Sequence, residues 1–345
     1  MIDVDGSMME GGGQLLRMAT TYSAILRKPV RIYNIRAGRK PPGLKQQHLV
    51  TLRAASELCN ASVKGDELGS KIIEFNPSEI EGGEYSIDIG TAGSISLLLQ
   101  CLAPIAVFAA SSVALRVKGG TAVAWSPTIP FVDNVVWRCY RSMGAICQLE
   151  LHKHGFYPKG GGEVVARFKP VEELNGFHAE HKKVEKIFGV SICGRLPSHV
   201  AKRQASSAQS IIVDSGLKAE IEVESLEGES APLSPGSLIC LWADSMYLGS
   251  DSLGKRGKPA EKVGSEAATS LVNQLKTGAQ VDYHTADHLV LPISLSKYDS
   301  SFMTSRISLH TLTAIELAKA FTDAEFKVKG KEGDPGFITC RGSGF

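Results

Sequence analysis

The sequence predicts an α/β protein built from a repeated unit, with a smaller α/β domain inserted before the last copy of that unit. Two observations support this prediction. Three segments of the chain share one order of elements, and a separate α/β pattern lies between the second and the third of them. The chain has 345 residues, of which 43% are hydrophobic, so it is long enough to form about two domains with buried cores.

Each of the three segments begins with glycines or serines, continues as a helix with apolar periodicity, and ends in a short strand followed by glycine. The predicted helix and strand of each segment cover residues 14–27 and 30–38, 94–110 and 114–120, and 308–321 and 325–330. The segments match in pattern more than in residue identity. This pattern predicts one large domain made of repeated α/β units.

A second region begins after the charged run at residues 181–183. It opens with a strand at 186–192 and closes with a helix that starts at Pro259, since proline is well tolerated in the first turn of a helix. We therefore predict a large domain formed by residues 1–183 and 280–345, with residues 184–279 inserted as a smaller α/β domain.

Charge and composition exclude several classes of protein. Lys plus Arg (38) nearly balance Asp plus Glu (36), which excludes indiscriminate binding of nucleic acid through overall charge, so a polyanion must meet a local basic patch. Seven scattered cysteines without a CxxC pair indicate a reducing compartment, and the start of the chain lacks signal-peptide features. We predict a cytoplasmic protein. The apolar run at 95–117 is interrupted by Gln100 and Pro104, which argues against a membrane span.

His310 is the strongest candidate for a catalytic residue. It follows Ser308, a good N-cap, at the start of the third predicted helix. The positive end of a helix dipole favours phosphate and keeps a nearby imidazole neutral, and a neutral imidazole is a nucleophile toward phosphorus. The alternative interpretation is a solvated surface histidine.

A second candidate group lies at residues 284–288, which contain Asp287 between two histidines. We interpret the apolar run that follows, 289–292, as a buried strand, so that Asp287 and its neighbours form the wall of a site. The His-x-x-x-His spacing is also typical of a metal pair on a helix. We disfavour zinc because no third ligand is evident nearby.

A basic, proline-stiffened loop supplies a third group. Its cations, with neighbouring polar residues, could form a fork-like phosphate site, or they could be ordinary surface charges. The group consists of Arg17, Arg36, Arg39, Lys40, Gln47 and His48. Glycine runs at 11–13 and 160–162 would allow close approach of a ligand to the backbone.

Residues 249–255 match most of a Walker A motif. Arg256, however, stands where Ser or Thr should bind magnesium, and Gly257 and Pro259 prevent a helix from starting at Lys255. We therefore reject a P-loop.

Several longer motifs occur together and in order. They are EGGGQLLR (10–17), IRAGR (35–39), PGL (42–44), QH (47–48), HGFYPKGGG (154–162), ADHLVLP (286–292) and LHTLT (309–313). In this combination, over nearly the whole chain, the sequence resembles the RNA 3'-terminal phosphate cyclases. The resemblance implies a large domain of three βαβαββ-type units with a small α/β domain inserted before the last.

The resemblance also implies an activity. His310 would attack the α-phosphorus of ATP, AMP would then move to an RNA 3'-phosphate, and the 2'-hydroxyl would close a 2',3'-cyclic phosphate and release AMP. The implied partner is therefore RNA with a 3'-phosphate end, and the implied cofactors are ATP and a divalent metal, Mg or Mn.

Individual roles follow from the same motifs. Glu10 would bind the divalent metal. The residues implied for phosphates and the RNA end are Arg17, Arg36, Arg39, Gln47 and His48. Those implied for the ATP pocket are Gln100, Pro127, His284, Thr285, Ala286, Asp287 and His288. The sequence departs from the family's usual residues at Ala122, where an acidic or amide side chain is common, and at His288, where many members have glutamine.

Two alternatives remain at this point. One is a non-catalytic cyclase-like factor in RNA processing or ribosome assembly, which would lack the histidine nucleophile. The other is an enolpyruvyl transferase, whose architecture is related. The sequence does not determine the oligomeric state, and a homodimer is one assembly that it allows.

Overall fold

The computed structural model describes residues 1–345. Its first unit has a four-stranded sheet in the order β1-β2-β4-β3, in which β1 and β2 are parallel and the other pairs antiparallel. The elements are β1 (Ile2–Asp5), α1 (Gly13–Leu26), β2 (Val30–Tyr33), α2 (Gln46–Leu58), β3 (Ser62–Lys64) and β4 (Ile73–Asn76). The strand that we predicted over 30–38 ends at Tyr33, because Asn34 and Arg36 adopt left-handed backbone conformations (φ 53° and 54°) that leave the strand.

The second unit repeats this plan. Its sheet has the corresponding order β5-β6-β8-β7, again with the first pair parallel. A π-helical turn at Val132–Val136 joins its two short helices α4 and α5. The elements are β5 (Gly83–Asp88), α3 (Ile95–Val107), β6 (Val113–Gly119), α4 (Ile129–Phe131), α5 (Trp137–Ser142), β7 (Ile146–Lys153) and β8 (Gly162–Lys169).

A separate sheet follows, in the order β10-β9-β11-β12. One face packs on two helices around a buried cluster that includes Ile187, Ile212 and Leu271, while Ile192 and Cys240 on the other face join the main core. The elements are β9 (Lys186–Gly194), α6 (His199–Asp214), β10 (Lys218–Leu226), β11 (Gly236–Ala243), β12 (Gly249–Leu253) and α7 (Ala260–Lys276). The exact domain boundaries stay a prediction.

The third unit is split by this insertion. Its sheet has the order β13-β15-β14, and His178 forms a parallel bridge with Ser301 of β13, in the place that β1 takes beside β2. The remaining elements are α8 (Tyr283–Leu295), β13 (Asp299–Thr304), α9 (Leu309–Phe321), β14 (Glu325–Lys329) and β15 (Gly336–Arg341). The predicted fold class, repeated α/β units with an inserted α/β segment, is therefore confirmed.

The prediction of a strand at 289–292 is wrong, because these residues belong to α8. Asp282 caps this helix by accepting hydrogen bonds from the backbone N–H groups of His284 and Thr285 at 2.8 and 2.9 Å. All residues from Leu289 to Leu295 are buried, so the apolar run has no helical period to read. Pro292 leaves the His288 carbonyl without a helical N–H, and the Tyr140 hydroxyl donates to that carbonyl instead at 3.3 Å.

Helices α3, α1 and α9 pack side by side, with α1 between the other two. The sheet orders show that α9 is the counterpart of α2, and that α8 is the counterpart of α1 and α3, so the prediction that the segment at 308–330 repeats the first two segments is wrong.

Helices α1 and α9 run in the same direction, because Gln14 contacts His310 near their amino ends and the ring of Tyr22 stacks on Phe321 further along, with centroids 5.2 Å apart. The start of α3 lies near the same end, because the Ser94 N–H donates to Gln47, the neighbour of His48, which lies against Gly13 at the start of α1. The amino termini of the three helices therefore lie at one end, where their dipoles add positive potential. No helix combines the length and apolarity needed to cross a membrane.

Candidate active site

The centre of the site is His310, the second residue of α9. Ser308 caps the helix by accepting from the Thr311 N–H at 3.0 Å, which holds His310 at the positive end of the helix. The His310 Nδ1 atom lies 2.7 Å from Gln14 Oε1, and Gln14 is itself buried in the first turn of α1. The nucleophile candidate is thus held by a residue of the first unit.

The Gln14 contacts assign the tautomer of His310. Gln14 Nε2 donates to the His310 carbonyl at 3.1 Å and to Asp287 Oδ2 at 3.4 Å, so its Oε1 atom must be the one that faces the imidazole. An amide oxygen only accepts, so Nδ1 carries the proton and Nε2 keeps its lone pair. His310 therefore presents an unprotonated Nε2 to the site.

The charge state of His310 agrees with this assignment. Burial lowers its pKa from the ordinary value, the Glu10 carboxylate opposes that shift, and the Arg17 and Arg39 guanidinium groups lower the pKa further. The imidazole is consequently neutral at pH 7.

Two arginines place positive charge beside this imidazole. Arg17 is buried in α1, and its Nε donates to Gln100 Oε1 on α3 at 2.9 Å. Arg39 lies in the basic loop, and its Nη2 donates to Glu10 Oε1 at 2.5 Å. Because Arg17 is fixed from two helices, it is a preorganised donor for an anion.

His48 joins this cluster from the first turn of α2. Its Nδ1 accepts from the Lys45 N–H at 3.2 Å, so its Nε2 is left to donate. Burial, and then the charge of Arg17, lower the pKa of His48 to about 3. At Gly13 a Cβ atom would lie 2.6 Å from His48 Nε2 and 2.9 Å from Arg17 Nη1, so glycine is required for these groups to meet at the start of α1.

Helix α8 forms the opposite wall. Burial raises the pKa of Asp287 to about 8, although Arg17 opposes the shift, and its Oδ1 atom is buried without a hydrogen-bond partner. Burial also lowers the pKa of His284 to about 4 and that of His288 to about 3. This wall is therefore uncharged at neutral pH and faces the cationic wall made by α1 and the basic loop.

A family model described as RNA 3'-terminal phosphate cyclase matches residues 8–328. This chain belongs to that family. Three relatives named RNA 3'-terminal phosphate cyclase agree with the assignment. The one from Methanosarcina barkeri is 47% identical and covers 96% of this chain and 98% of its own. Those from Methanopyrus kandleri (42% identical, 100% and 99% covered) and Pyrococcus furiosus (42% identical, 98% of each chain covered) are similar.

The resemblance predicted from the motifs is thus confirmed at the level of the RNA 3'-terminal phosphate cyclase family. Among solved structures, an EPSP synthase from Acinetobacter baumannii overlaps 99% of this chain and 65% of its own, with a TM-score of 0.30 and 11% identity. A likeness this weak supports no inference about this chain.

Several residues predicted as cyclase ligands already have protein partners. Arg36 donates to the carbonyls of Pro41 and Gly43 at 3.1 and 2.7 Å and so holds the basic loop closed. Gln47 accepts from the Ser94 N–H at 2.9 Å at the start of α3. The direct binding of phosphate by Arg36 and Gln47 stays a prediction, and the contacts described here give both residues a positioning role.

The predicted nucleotide residues lie around the same end of the helices. The Pro127 carbonyl accepts from Ser96, in the first turn of α3, and the Thr285 hydroxyl donates to Asp282 at 2.5 Å. Ala286 is fully buried in α8. Ala122, one of the two departures from the usual family residues, is also buried and forms a backbone bridge with Phe156.

Three residues that the structure brings to the site had no predicted role. They are Gln14, Tyr283, whose ring lies 3.9 Å from that of His284, and Arg306, whose guanidinium lies 3.9 Å above the Tyr283 ring. A signal for Gln14 was available, because Gln14, like His310, stands two residues after the N-cap of its helix. Nothing in the sequence marked Tyr283 or Arg306.

Proposed function

We propose that this chain converts the 3'-terminal phosphate of RNA into a 2',3'-cyclic phosphate at the expense of ATP, through an AMP group carried on His310. The observation that carries the proposal is the neutral His310 imidazole, with a free Nε2 at the shared amino-terminal end of α1, α3 and α9. Membership of the RNA 3'-terminal phosphate cyclase family supports it.

In the first step, His310 Nε2 attacks the α-phosphorus of ATP. A P–N bond forms, the bond between the α-phosphorus and the bridging oxygen breaks, and pyrophosphate leaves. Gln14 keeps the Nδ1 proton in place, so that the imidazole develops its positive charge against the amide oxygen. Arg17, Arg39 and the helix amino termini stabilise the negative charge that builds up on the leaving pyrophosphate.

In the second step, an oxygen of the RNA 3'-phosphate attacks the phosphorus of the bound AMP. The P–N bond breaks, His310 is regenerated, and a phosphoanhydride now joins the RNA end to AMP. In the third step, the 2'-hydroxyl attacks the 3'-phosphorus and its proton passes to solvent. The anhydride bond between that phosphorus and AMP breaks, so AMP leaves and the ring closes. A phosphate monoester has no adequate leaving group, so the use of ATP has a clear chemical reason.

Glu10 is the residue that would bind a divalent ion. Its Oε2 accepts from the Gly12 N–H at 2.8 Å and its Oε1 from Arg39, and the structure has no group of three or more Asp, Glu, His or Cys side chains arranged to hold a metal. One carboxylate fits an Mg or Mn ion that is bound mainly by substrate phosphates, not a resident metal. Such an ion would neutralise phosphate charge when bound.

Four further predictions remain part of this proposal. The separate sheet and helix pair of residues 186–276 support the predicted inserted domain at 184–279. RNA with a 3'-phosphate is the proposed partner, with selectivity supplied by the terminal phosphate, since a net charge of +2 favours only moderate binding of the rest of the RNA. A cytoplasmic location and a homodimer stay predictions.

The deciding experiment is to incubate the protein with α-labelled ATP and Mg or Mn, and to look for acid-labile label on the chain after denaturing electrophoresis. We expect label on the parent and none on His310→Ala or His310→Asn, the second of which keeps a polar group beside Gln14. His199→Ala is the matched control, because His199 is an exposed histidine that also starts a helix. It should be labelled like the parent.

Two outcomes would contradict the proposal. Equal label on His310→Asn would mean that another residue carries AMP. An unlabelled parent would favour the non-catalytic, RNA-processing alternative.

A further inference from the structure

Two aromatic side chains stand in solvent on neighbouring loops of the second unit. Trp125 is 98% exposed and Tyr157 is 76% exposed, the highest values among the large hydrophobic residues. Their loops are joined by a backbone bridge between Ala122 and Phe156 and by a hydrogen bond from the Thr121 N–H to the Gly155 carbonyl at 2.9 Å. The two side chains therefore belong to one surface.

The backbone of Trp125 is strained. Its φ angle is 62°, in the left-handed region, which a bulky side chain rarely adopts. Strain of this kind persists where the surrounding structure enforces it, and it is concentrated at functional sites. Here the strained conformation points a tryptophan into water, where its ring gains nothing from packing. A strained backbone that exposes a tryptophan ring is typical of a ligand-binding residue, so we expect a ligand that covers the ring.

Both loops lie beside the proposed active site. Two residues after Trp125, the carbonyl of Pro127 accepts from Ser96 in the first turn of α3, and Gln100, one turn further along α3, binds Arg17. On the other loop, a Cβ atom at Gly160 would lie only 2.8 Å from the Thr91 carbonyl, just before the start of α3. The exposed pair thus lies along the rim of the site, next to the amino terminus of α3.

We propose that Trp125 and Tyr157 form a stacking surface for the last two unpaired bases of the RNA substrate. This inference rests on the proposed function. A strand whose 3'-phosphate reaches His310 must cross the rim, where its bases are free to stack on aromatic rings. Stacking tolerates any base and does not depend on charge, which suits a chain with a net charge of +2. Because the rim is open to solvent, a polymer can extend across it, whereas a mononucleotide would occupy only the site itself.

The first test is RNA binding without ATP, so that no reaction occurs. The probe is a 5'-fluorescein RNA oligonucleotide with a 3'-phosphate, and the readout is fluorescence anisotropy. Trp125→Gly removes the ring and suits the left-handed backbone, so it should fold; we expect its Kd to rise about 10-fold. Trp125→Phe should retain most of the affinity, and Tyr157→Ala should lose a comparable amount to Trp125→Gly.

Tyr298→Ala is the matched control. Tyr298 is also exposed (41%), but it precedes β13, whereas His310 follows the opposite end of that strand, about 20 Å away. Its affinity for RNA should equal that of the parent. The slope of log Kd against log salt should be the same for Trp125→Gly and the parent, because stacking releases no counterions. A smaller slope would mean that a phosphate contact was lost and would overturn the proposal.

A double-mutant cycle tests stacking directly. Replacing the last two nucleotides by abasic ones, with the 3'-phosphate kept, should weaken binding to the parent about 10-fold and to Trp125→Gly by much less. Equal losses on both proteins, or unchanged RNA binding by Trp125→Gly, would overturn the inference. So would a loss of His310 adenylylation in Trp125→Gly, since the ring would then serve ATP. The parent could form no AMP adduct while the double-mutant cycle still shows that Trp125 and the terminal bases interact. In that case the proposed mechanism is wrong and the stacking surface is supported.

Discussion

The amino ends of α3 and α9 have the same local structure and different chemistry. Ser94 accepts from the Leu97 N–H at 3.1 Å and Ser308 from the Thr311 N–H at 3.0 Å, so both helices have serine caps of the same geometry. Two residues after the cap, α3 has Ser96 and α9 has His310. Ser96 donates to the Pro127 carbonyl, whereas His310 contacts Gln14. A serine-capped helix thus supplies a positive end in both places, and the side chain two residues after the cap decides its use.

Helix α1 also has a functional candidate at this place after its cap. Gln14 stands two residues after its cap, Gly12, and it is this glutamine that orients His310. The residues at the same place after three helix caps therefore hold a loop, position the proposed nucleophile and supply it.

We expect replacement of Gln14 to change the rate of adenylylation more than replacement of Ser96. Gln14→Ala leaves His310 Nδ1 and Asp287 without their partner, and we expect adenylylation to slow roughly 10- to 100-fold through misplacement of the imidazole. Ser96→Ala, at the same place after the α3 cap, removes one neutral hydrogen bond worth about 1 kcal/mol and should not alter the pH dependence of adenylylation. Single-turnover labelling with α-labelled ATP measures both rates.

Gln14→Glu separates positioning from packing. A carboxylate beside the imidazole favours its protonated form and so raises the pKa of His310. The acid limb of the adenylylation rate should therefore move to higher pH than in the parent, in which burial keeps the pKa of His310 below its ordinary value. An unmoved acid limb would contradict the assigned role of Gln14.

A smaller effect, on stability, is expected at Asp287. This carboxyl group contacts Gln14, whereas no carboxyl group contacts Ser96. Its pKa is raised to about 8 in the folded chain, so the folded state holds a proton that the unfolded state loses near pH 4. The stability contributed by this group is complete below pH 4 and is lost as the pH rises to about 8. Asp287→Asn should therefore gain stability relative to the parent over this range.

Urea unfolding at pH 5 and pH 8 measures the effect. We expect the difference in unfolding free energy between Asp287→Asn and the parent to be larger at pH 8 than at pH 5 by at least about 1 kcal/mol. A difference that is independent of pH would mean that Asp287 is ionised in the folded chain.

The smallest effect concerns the two caps. Ser94→Ala and Ser308→Ala should each lower the free energy of unfolding by about 1 kcal/mol, since each removes one N-cap hydrogen bond. Only Ser308→Ala should also slow adenylylation, because only α9 carries the proposed nucleophile. Equal slowing by both variants would show that the α3 end contributes to the chemical step as much as the α9 end does.

Local signals in the sequence were sufficient for much of the fold and for the nucleophile candidate. The Ser308 cap, the helix that begins after Pro259 and the helices of the three predicted segments depend on residues close together in the chain, and all of them appear in the structure. The predicted equivalence of the third segment to the first two does not, because α9 and β14 take the places of α2 and β3. The motif at 309–313 likewise drew attention to His310. Such features are encoded locally because capping and periodicity act within one or two turns.

The tertiary structure decided the rest. Residues 289–292 are helical because this half of α8 is buried on all sides and Tyr140 satisfies the carbonyl that Pro292 leaves free. The tautomer of His310 depends on Gln14, which is 296 residues away in the chain, and the pKa of Asp287 depends on burial between elements of different units. The sequence by itself determined which side chains could react; packing between units determined their charge, orientation and neighbours, because desolvation and hydrogen bonding over such separations exist only once the chain has folded.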